Sequence, residues 1–339
     1  MQIAKPPCGN ARLGGAWPLT LAAVLFFAGA PFAQKDSAQQ TPASARAPAV
    51  LFTLKPLGHN VFAAIPNPGS GSGGNSGIII GDDGVAVVDT FQTAAAARQL
   101  LEAIRKQTQL PVKFVINTHY HLDHVAGNGV FAEAGAVIFA QTNVRDWIHS
   151  ENSKFFGAAI TPEQKAMVAE LMAPEVVYDR GVDLYLGSRR IDVRVFPGHT
   201  GGDSVVMVPD AEVVFTGDLF WNHMLPNLID ASTEPMMATL TALASANAPA
   251  AFVPGHGEVG TARDVTEFRG YIANLRELVG QARVQGKSGD ALADAVLPQL
   301  REKYGQWGIF DHFAKRNILD TAAELDGTKK IPKPAATAQ

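Results

Sequence analysis

The chain contains 339 residues, a length that fits one large domain or two ordinary ones. Its composition, 47% hydrophobic and 18% charged with a net charge of −4, is typical of a soluble globular protein. Without an excess of basic residues the chain has little to attract a phosphate backbone, so we expect a small-molecule substrate and no nucleic-acid partner.

The first segment, residues 1–33, has the pattern of a secretory signal peptide. Lys5 and Arg12 are its only charged residues, and the run from Leu19 to Ala30 is almost entirely apolar. This run is about a dozen residues long, short of the ~20 that span a bilayer. We therefore expect cleavage near Ala33, a secreted or periplasmic protein, and no stable membrane insertion of the mature chain. An uncleaved membrane anchor is the alternative.

Cleavage would remove the only cysteine, Cys8, together with Lys5 and Arg12. The mature chain would then form no disulfide and could not offer a thiolate to a metal, and losing two positive charges would change its net charge from −4 to −6. Residues 34–49, rich in Ala, Gln, Ser and Pro, are predicted to be a disordered linker.

From residue 50 onwards, short β-rich runs alternate with segments of helical periodicity. The predicted strands are 61–65, 76–80, 85–89, 112–117, 136–140, 190–196, 204–208, 212–216 and 250–253, and the predicted helices are 94–107, 129–134, 142–150, 162–172, 234–246 and several from 263 to about 313. This order predicts sheets covered by helices, hence α/β layers. We assign residues 50–260 to one domain, 261–326 to a C-terminal helical extension of it, and 327–339 to a disordered tail.

One glycine-rich segment imitates a nucleotide-binding motif. Gly69 to Gly74 contains the string G-x-G-x-x-G. A predicted strand follows it, however, rather than the helix whose N-terminus would bind a pyrophosphate. We therefore interpret the segment as a flexible loop between two early strands.

The segment Asn117 to His124, directly after the apolar run Val112 to Ile116, carries the densest set of metal-binding side chains. Extended backbone would point His119 and His121 to the same side, and a turn after them could bring the next two side chains to a neighbouring point. The segment can therefore serve two adjacent metal ions, and imidazole and carboxylate suit zinc. Its candidate ligands are His119, His121, Asp123 and His124.

Three more short motifs place candidate ligands at strand ends. They are Pro197 to Ser204 with His199, Phe215 to Asp218, and Pro254 to Gly257 with His256. Glycines beside each ligand let the backbone turn sharply and approach the site closely. Five of the nine histidines of the chain fall in these motifs and the Asn117 segment, which favours a built site over accidental clustering.

The motifs, in this order over residues 50–260, resemble those of the metallo-β-lactamase superfamily. The resemblance implies a four-layer αββα sandwich of two mixed β-sheets flanked by helices, with the metals in a cleft at one edge. It also implies two zinc ions per chain, with iron and manganese as alternative metals. The first zinc would be bound by His119, His121 and His199, the second by Asp123, His124 and His256, and Asp218 would bridge both, as in the glyoxalase II-like branch.

Three further residues receive candidate roles. Asp89, at the end of a predicted strand, resembles the acid with which this family orients a metal-binding histidine. Capping the start of a helix is the alternative for this residue. Trp221 and His223 follow Asp218 in a segment that should face the cleft, so both are candidates for substrate contact.

Two zinc ions that share a water can lower its pKa to near 7 and so supply a hydroxide at neutral pH. In this scheme the metal-bridging hydroxide attacks a carbonyl carbon while Asp123 holds it in line, which makes Asp123 the predicted catalytic residue. Esters, lactones, thioesters and lactams all fit. We therefore predict an exported dinuclear zinc hydrolase that cleaves such a carbonyl-centred bond.

Four alternatives stay open. Hydrolysis of β-lactam antibiotics is disfavoured by Asp218, where lactamases commonly carry Cys or Ser, and by Trp221, where one large lactamase group has lysine. A glyoxalase II-type thioesterase shares Asp218, but the basic cluster expected for glutathione is missing after it. A mononuclear iron sulfur dioxygenase, or a non-catalytic metal-binding module, could use the same scaffold. The sequence leaves open the physiological substrate, the role of the C-terminal helices and the oligomeric state.

Overall fold

The computed structural model describes residues 49–245 and 249–333. The predicted signal peptide, all but residue 49 of the predicted linker, and residues 334–339 of the predicted tail lie outside the described residues. The strands are β1 (Phe52–Gly58), β2 (Val61–Pro66), β3 (Ser76–Ile80), β4 (Val85–Val88), β5 (Val112–Ile116), β6 (Val137–Gln141), β7 (Val176–Tyr178), β8 (Gly181–Leu186), β9 (Arg189–Val195), β10 (Ser204–Val208), β11 (Val213–Trp221) and β12 (Ala251–His256). The α-helices are α1 (Ala94–Gln107), α2 (Leu122–Val125), α3 (Asn128–Glu133), α4 (Thr142–Trp147), α5 (Pro162–Ala169), α6 (Thr233–Leu243), α7 (Ala262–Val284), α8 (Gly289–Tyr304) and α9 (Phe310–Leu325).

These strands form two mixed sheets. In the seven-stranded sheet, ordered β1-β2-β3-β4-β5-β6-β7, the strands from β1 to β4 pair antiparallel and those from β4 to β7 pair parallel. In the five-stranded sheet, ordered β12-β11-β10-β9-β8, only β11 and β12 are parallel. The predicted sandwich of two mixed sheets flanked by helices is therefore confirmed.

Strand β3 shows how alternating side chains divide the core. Ile79 faces the other sheet and packs in one cluster with residues such as Val206 and Phe215. Ile78 and Ile80, on either side of it, belong to a different cluster that includes α1. Successive side chains of a strand point to opposite faces, so one apolar run serves both the interface between the sheets and the outer helical layer.

Helices cover both outer faces. Helices α1 and α3 pack on the seven-stranded sheet, and helices α6 to α9 pack on the five-stranded sheet around residues such as Phe220 and Phe252. The C-terminal helices, whose role the sequence leaves open, thus complete the fourth layer of the sandwich. None of the helices in the described residues is long and apolar enough to cross a bilayer.

The parallel strands determine where the functional loops meet. Carboxyl ends of parallel neighbours lie at the same edge of a sheet, as for β4 with β5 and β11 with β12. Strand β5 ends at Ile116, so His119 and His121 lie in the loop after it rather than in a strand. His121 still has extended backbone, with φ −61° and ψ 142°, directly before α2.

Three strands, the short helix α2 and part of α9 escape the sequence pattern. Strand β1 contains Pro56, β7 has three residues, and β8 lies at the edge of its sheet, so none has the apolar run of a central strand. Helix α9 continues to Leu325, beyond the predicted limit near residue 313.

The predicted disordered tail begins too early. Residues 327–333 are among the described residues, and the side chain of Lys329 is 8% exposed. Its ammonium donates hydrogen bonds to the carbonyls of Leu228, at 2.7 Å, and Ala231, at 2.5 Å. These carbonyls hold the start of the tail against the loop before α6.

Phe268 in α7 tests whether the C-terminal helices belong to the same cooperative core. The residue is 1% exposed and its ring lies 5.8 Å from that of Phe220 in β11. Phe268→Ala should lower the free energy of unfolding by ~3–5 kcal/mol, because it removes a buried ring and leaves a cavity. Chemical denaturation measures this, with Val284→Ala, at a residue 91% exposed, as the control that should change stability by less than ~0.5 kcal/mol. Equal effects of the two substitutions would contradict the shared core.

Candidate metal centre

Four buried side chains from three chain segments form the first ligand group. They offer ligand atoms that all lie within 4.8 Å of one another, and the residues are His119, His121, His199 and Asp218. The two histidines after β5 meet His199 from the loop between β9 and β10, and Asp218 lies within β11. The described residues therefore contain a His/Asp metal site where the predicted motifs converge.

The second group consists of Asp123, His124 and His256, with ligand atoms again within 4.8 Å of one another. Asp123 Oδ2 lies 3.1 Å from Nε2 of His256, which ends β12. This group is the more open of the two, because the side chains of Asp123 and His256 are 27% and 12% exposed, while that of His124 is fully buried.

Asp218 lies between the two groups. Its Oδ2 is 3.2 Å from Nε2 of His199 and 3.6 Å from Nε2 of His119. Its other oxygen, Oδ1, is 3.1 Å from Nε2 of His124 and 3.5 Å from Nε2 of His256. Each carboxylate oxygen thus faces one ligand group, which is the arrangement that the resemblance implies for a bridging residue.

The donor atoms fit metal ions. Among the described residues, the buried side-chain atoms without a hydrogen-bond partner include Nε2 of His119, His124 and His256 and Oδ1 of Asp218. Buried polar atoms are rarely left without a partner. A metal ion at each group would satisfy them, and nitrogen and carboxylate donors of this kind suit zinc.

Two glycines make this packing feasible. Gly217 has φ +51° and lies so close to Thr118 that a Cβ would come within 2.5 Å of its hydroxyl oxygen. At Gly255 a Cβ would overlap Oδ1 of Asp218. The glycines beside the motifs thus allow close approach of the backbone, as the sequence predicts.

Asp89 contacts His124 on the side away from the ligand groups. Its Oδ2 accepts a hydrogen bond from Nδ1 of His124 at 2.8 Å, and the same carboxylate accepts bonds from the backbone N–H and hydroxyl of Thr118. A donor proton on Nδ1 leaves Nε2 free to bind a metal. Helix α1 is capped by Thr93 instead, so the alternative role of Asp89 as a helix cap does not apply.

The pKa values of His119 and His256 are shifted in opposite directions by their surroundings. Burial and the neighbouring His124 lower the pKa of His119 well below its usual value. Burial alone would also lower the pKa of His256, but the carboxylates of Asp218 and Asp123 outweigh it and raise that pKa to about 9. Metal binding at the second group must therefore displace a proton at neutral pH, whereas His119 is already neutral.

Asp230 is a site residue that sequence reasoning missed. It is 3% exposed, accepts a hydrogen bond from Nε2 of His121 at 3.1 Å, and also accepts from the hydroxyl of Tyr120 and, at 2.7 Å, from Lys154. This leaves Nδ1 of His121 facing His199, 3.0 Å from its Nε2. No sequence signal connects positions 109 residues apart, and Asp230 lies in no glycine-flanked motif.

Asp203 organises the loop that carries His199. Its buried carboxylate accepts hydrogen bonds from the backbone N–H groups of His199 and Thr200, at 2.8 and 2.9 Å, and from the hydroxyl of Thr200. Burial raises the pKa of Asp203 to about 6. The motif Pro197 to Ser204 contains this residue, but its spacing gives no reason to separate it from the ligands.

The two candidates for substrate contact have different surroundings. Trp221 is 3% exposed and stacks on His256, with ring centroids 3.8 Å apart, so it supports a candidate ligand from behind. The side chain of His223 is 53% exposed, lies 3.5 Å from Glu267, and has a backbone φ of 51°. Contact of either residue with a substrate stays a prediction.

The glycine-rich loop between β2 and β3 lies against the second ligand group. At Gly73 and Gly74 a Cβ would overlap Asp123 and His124. Backbone hydrogen bonds from Gly74 N–H to Asp123 and from Asn75 N–H to Gly255 fasten it there. The predicted loop between two early strands is confirmed, and at Gly73 and Gly74 glycine serves close packing; the flexibility of the loop stays a prediction. The loop residues 67–73 and, opposite them, residues 256–258 line a cavity of about 470 Å³.

The motifs and the fold agree with a known family. The model of the metallo-β-lactamase superfamily matches residues 69–256. This match covers more than half of the chain and includes every candidate ligand, and the chain belongs to this superfamily.

The curated relatives are distant, and the similarity covers only part of each. A linear primary-alkylsulfatase of a Pseudomonas species is 23% identical over an aligned length of 271 residues, and the alignment covers 66% of this chain and 51% of that protein. A hydroxyacylglutathione hydrolase of Brucella ovis is 28% identical over 182 residues, 54% of this chain and 62% of the relative. The chain thus spans between half and two thirds of the length of these relatives.

Solved structures share the fold. A metallo-β-lactamase from Pontibacter korlensis has a TM-score of 0.55 and 19% identity, covering 66% of this chain and 99% of that one. The DIM-1 metallo-β-lactamase has a TM-score of 0.53 and 18% identity, covering 66% of this chain and 97% of that one. At this identity the likeness concerns the fold alone.

Asp230→Asn should weaken metal binding at the first ligand group. An amide cannot accept as well from His121, Tyr120 and Lys154 together, and loss of such a partner typically costs about 10–100-fold in metal affinity. Competition between the protein and a chromogenic chelator for zinc measures this affinity. The control is Asp311→Asn, at a side chain 80% exposed, and zinc binding by Asp230→Asn at the affinity of this control would refute the positioning role.

Proposed function

We propose that the protein is an exported hydrolase that uses two zinc ions to cleave a carbonyl-centred bond of a small molecule, such as an ester, lactone or thioester. Membership of the superfamily and the relatives that are hydrolases by name support the reaction class. Export is supported by the signal-like pattern of residues 1–33.

The observation that carries the proposal is the position of Asp218. One carboxylate oxygen faces His119 and His199, and the other faces His124 and His256. A carboxylate in this position can bind two metal ions at once, and seven donors exceed what one tetrahedral zinc ion uses. When bound, such a pair would supply a nucleophile from water at neutral pH and polarise the bond to be cleaved.

Asp123 is the residue placed to orient a water molecule. Burial would raise the pKa of Asp123, but His124 and His256 outweigh it and lower the pKa to about 2. The group is therefore ionised at neutral pH and can accept a hydrogen bond. At 27% exposed, its side chain is also the most accessible to solvent of the seven candidate ligands. A substrate would therefore approach the site from the side of Asp123.

Alkyl sulfate esters are a second candidate substrate class. The similarity to the alkylsulfatase extends over 271 residues, against 182 for the hydroxyacylglutathione hydrolase. Attack at sulfur instead of carbon would use the same two groups of ligands.

Asp218→Ala should leave protein that binds nearer one zinc ion than two. The three histidines of the first group remain, whereas the second group loses the carboxylate that connects it to them. Elemental analysis of protein purified in excess zinc measures the stoichiometry, with Asp290→Ala, at a side chain 81% exposed, as the control. Unchanged metal content with only a lower melting temperature would mean that Asp218 merely stabilises β11, and a single iron with oxygen-dependent turnover would replace the hydrolase proposal by the dioxygenase.

Asp123→Asn should lose turnover by about 100-fold or more, because a neutral amide neither orients a water molecule nor balances the charge of the second metal. A panel of aryl esters, lactones, thioesters, lactams and alkyl sulfates tested on one zinc-loaded preparation gives the rates. We expect ester or lactone cleavage to exceed lactam cleavage. Wild-type rates in the variant would remove Asp123 from the mechanism, and a panel in which only lactams are cleaved would favour the β-lactamase alternative.

A further inference from the structure

The cavity of about 470 Å³ beside His256 lies within the roughly 300–1,000 Å³ range of small-molecule sites. One wall is the loop Asn67 to Gly73, which also approaches Asp123. Another wall contains Met224, in the segment after β11, and Ile309, which directly precedes α9. A molecule in this cavity is next to the more open of the two ligand groups.

Ile309 is held in this wall in a conformation that β-branched residues rarely adopt. Its φ of 53° and ψ of 24° are left-handed, a backbone conformation that is strained for a β-branched residue. Backbone hydrogen bonds fasten the preceding Gly308 to the segment after β11: Gly308 N–H donates to His223 at 2.8 Å, and Leu225 N–H donates to Gly308 at 3.1 Å. The segment after β11 and the residues before α9, which are far apart in sequence, are therefore held together beside the cavity.

The side chain presented by this strained backbone is apolar and open to solvent. Ile309 is 42% exposed, an uncommon place for a large hydrophobic residue whose backbone is also strained. Met224 is partly buried beside it and approaches Gly308 closely, since a Cβ there would lie 3.1 Å from its Cγ. Strain of this kind is often retained where a ligand binds.

The cavity offers little to a charged substrate group. Among the described residues that line it, none is Lys or Arg, and the one carboxylate, that of Glu258, is paired with Lys55. The serine hydroxyls of the loop are also engaged: Ser70 donates to Ser72, and Ser72 donates to the carbonyl of Leu51. A carboxylate of a lactam drug or of glutathione would find no lysine or arginine to pair with in these walls.

We propose that this cavity binds an uncharged apolar chain of the substrate, next to the bond that is cleaved, and that Ile309 and Met224 determine the preference for it. This inference rests on the proposed function and narrows its substrate class to neutral esters or lactones with a medium-length alkyl or acyl chain. The C-terminal helical layer would thereby contribute to specificity as well as to the core.

Ile309→Asn tests the inference, because asparagine tolerates the left-handed conformation and removes only the apolar surface. Zinc-loaded protein is assayed with 4-nitrophenyl acetate and 4-nitrophenyl octanoate. In the wild type kcat/KM should be higher for octanoate, and the octanoate-to-acetate ratio should fall about tenfold in Ile309→Asn while the acetate value is retained. Val284→Asn, at a surface residue 91% exposed, should keep the wild-type ratio.

Calorimetric binding of sodium octanoate and sodium acetate to the same proteins separates this inference from the proposed function. Tighter binding of octanoate that is lost in Ile309→Asn but retained in Val284→Asn supports the apolar cavity even if no ester is cleaved, in which case the proposed function fails alone. Ester cleavage with the same chain-length ratio in wild type and Ile309→Asn overturns the inference and leaves the hydrolase. Absence of both octanoate binding and chain-length preference in the wild type also overturns it.

Discussion

The carboxylate of Asp218, buried between four imidazoles, is the interaction on which the site depends. A buried charge is costly unless it is paired, and here His119 and His199 lie on one side of it and His124 and His256 on the other. These histidines come from three different segments that meet β11. The pairing of β11 with β12 and the packing of the two sheets on each other bring those segments to one carboxylate.

Crowding around this carboxylate explains the glycines near it. Gly255 leaves space that Oδ1 of Asp218 occupies, and Gly217 lets the chain pass Thr118. Thr118 in turn donates to Asp89, which accepts from His124. These hydrogen bonds from Thr118 and His124 to Asp89 fix the orientation of the His124 ring. Partners of this kind keep the donor atoms of a metal site directed at a shared point.

The C-terminal helices connect the stability of the sandwich with the surroundings of the site. Helices α6 to α9 cover the outer face of the five-stranded sheet, and Asn317 of α9 bonds to the carbonyl of Pro226 in the segment after β11. Gly308, two residues before α9, is also hydrogen-bonded to His223 and Leu225, the neighbours of Met224. Changes in this layer can therefore alter the cavity beside His256 without touching a candidate ligand.

Local sequence patterns were enough for the α/β layers and the ligand motifs, and the resemblance of those motifs to a known family supplied the sandwich of two mixed sheets. Strands such as β3 and β5 are short apolar runs bounded by turn residues, and the His-x-His-x-Asp-His segment and the glycine-flanked histidines are signals within a few residues. Edge strands β7 and β8 and the end of α9 lacked such signals, because partly exposed elements need no continuous apolar run.

The contacts between residues far apart in the sequence were decided by the tertiary structure alone. Asp230 meets His121 across 109 residues, Trp221 turns behind His256, and Ile309 reaches the cavity from the C-terminal layer. Periodicity reports whether a residue is buried, but which distant side chain it meets depends on how the sheets and helices pack.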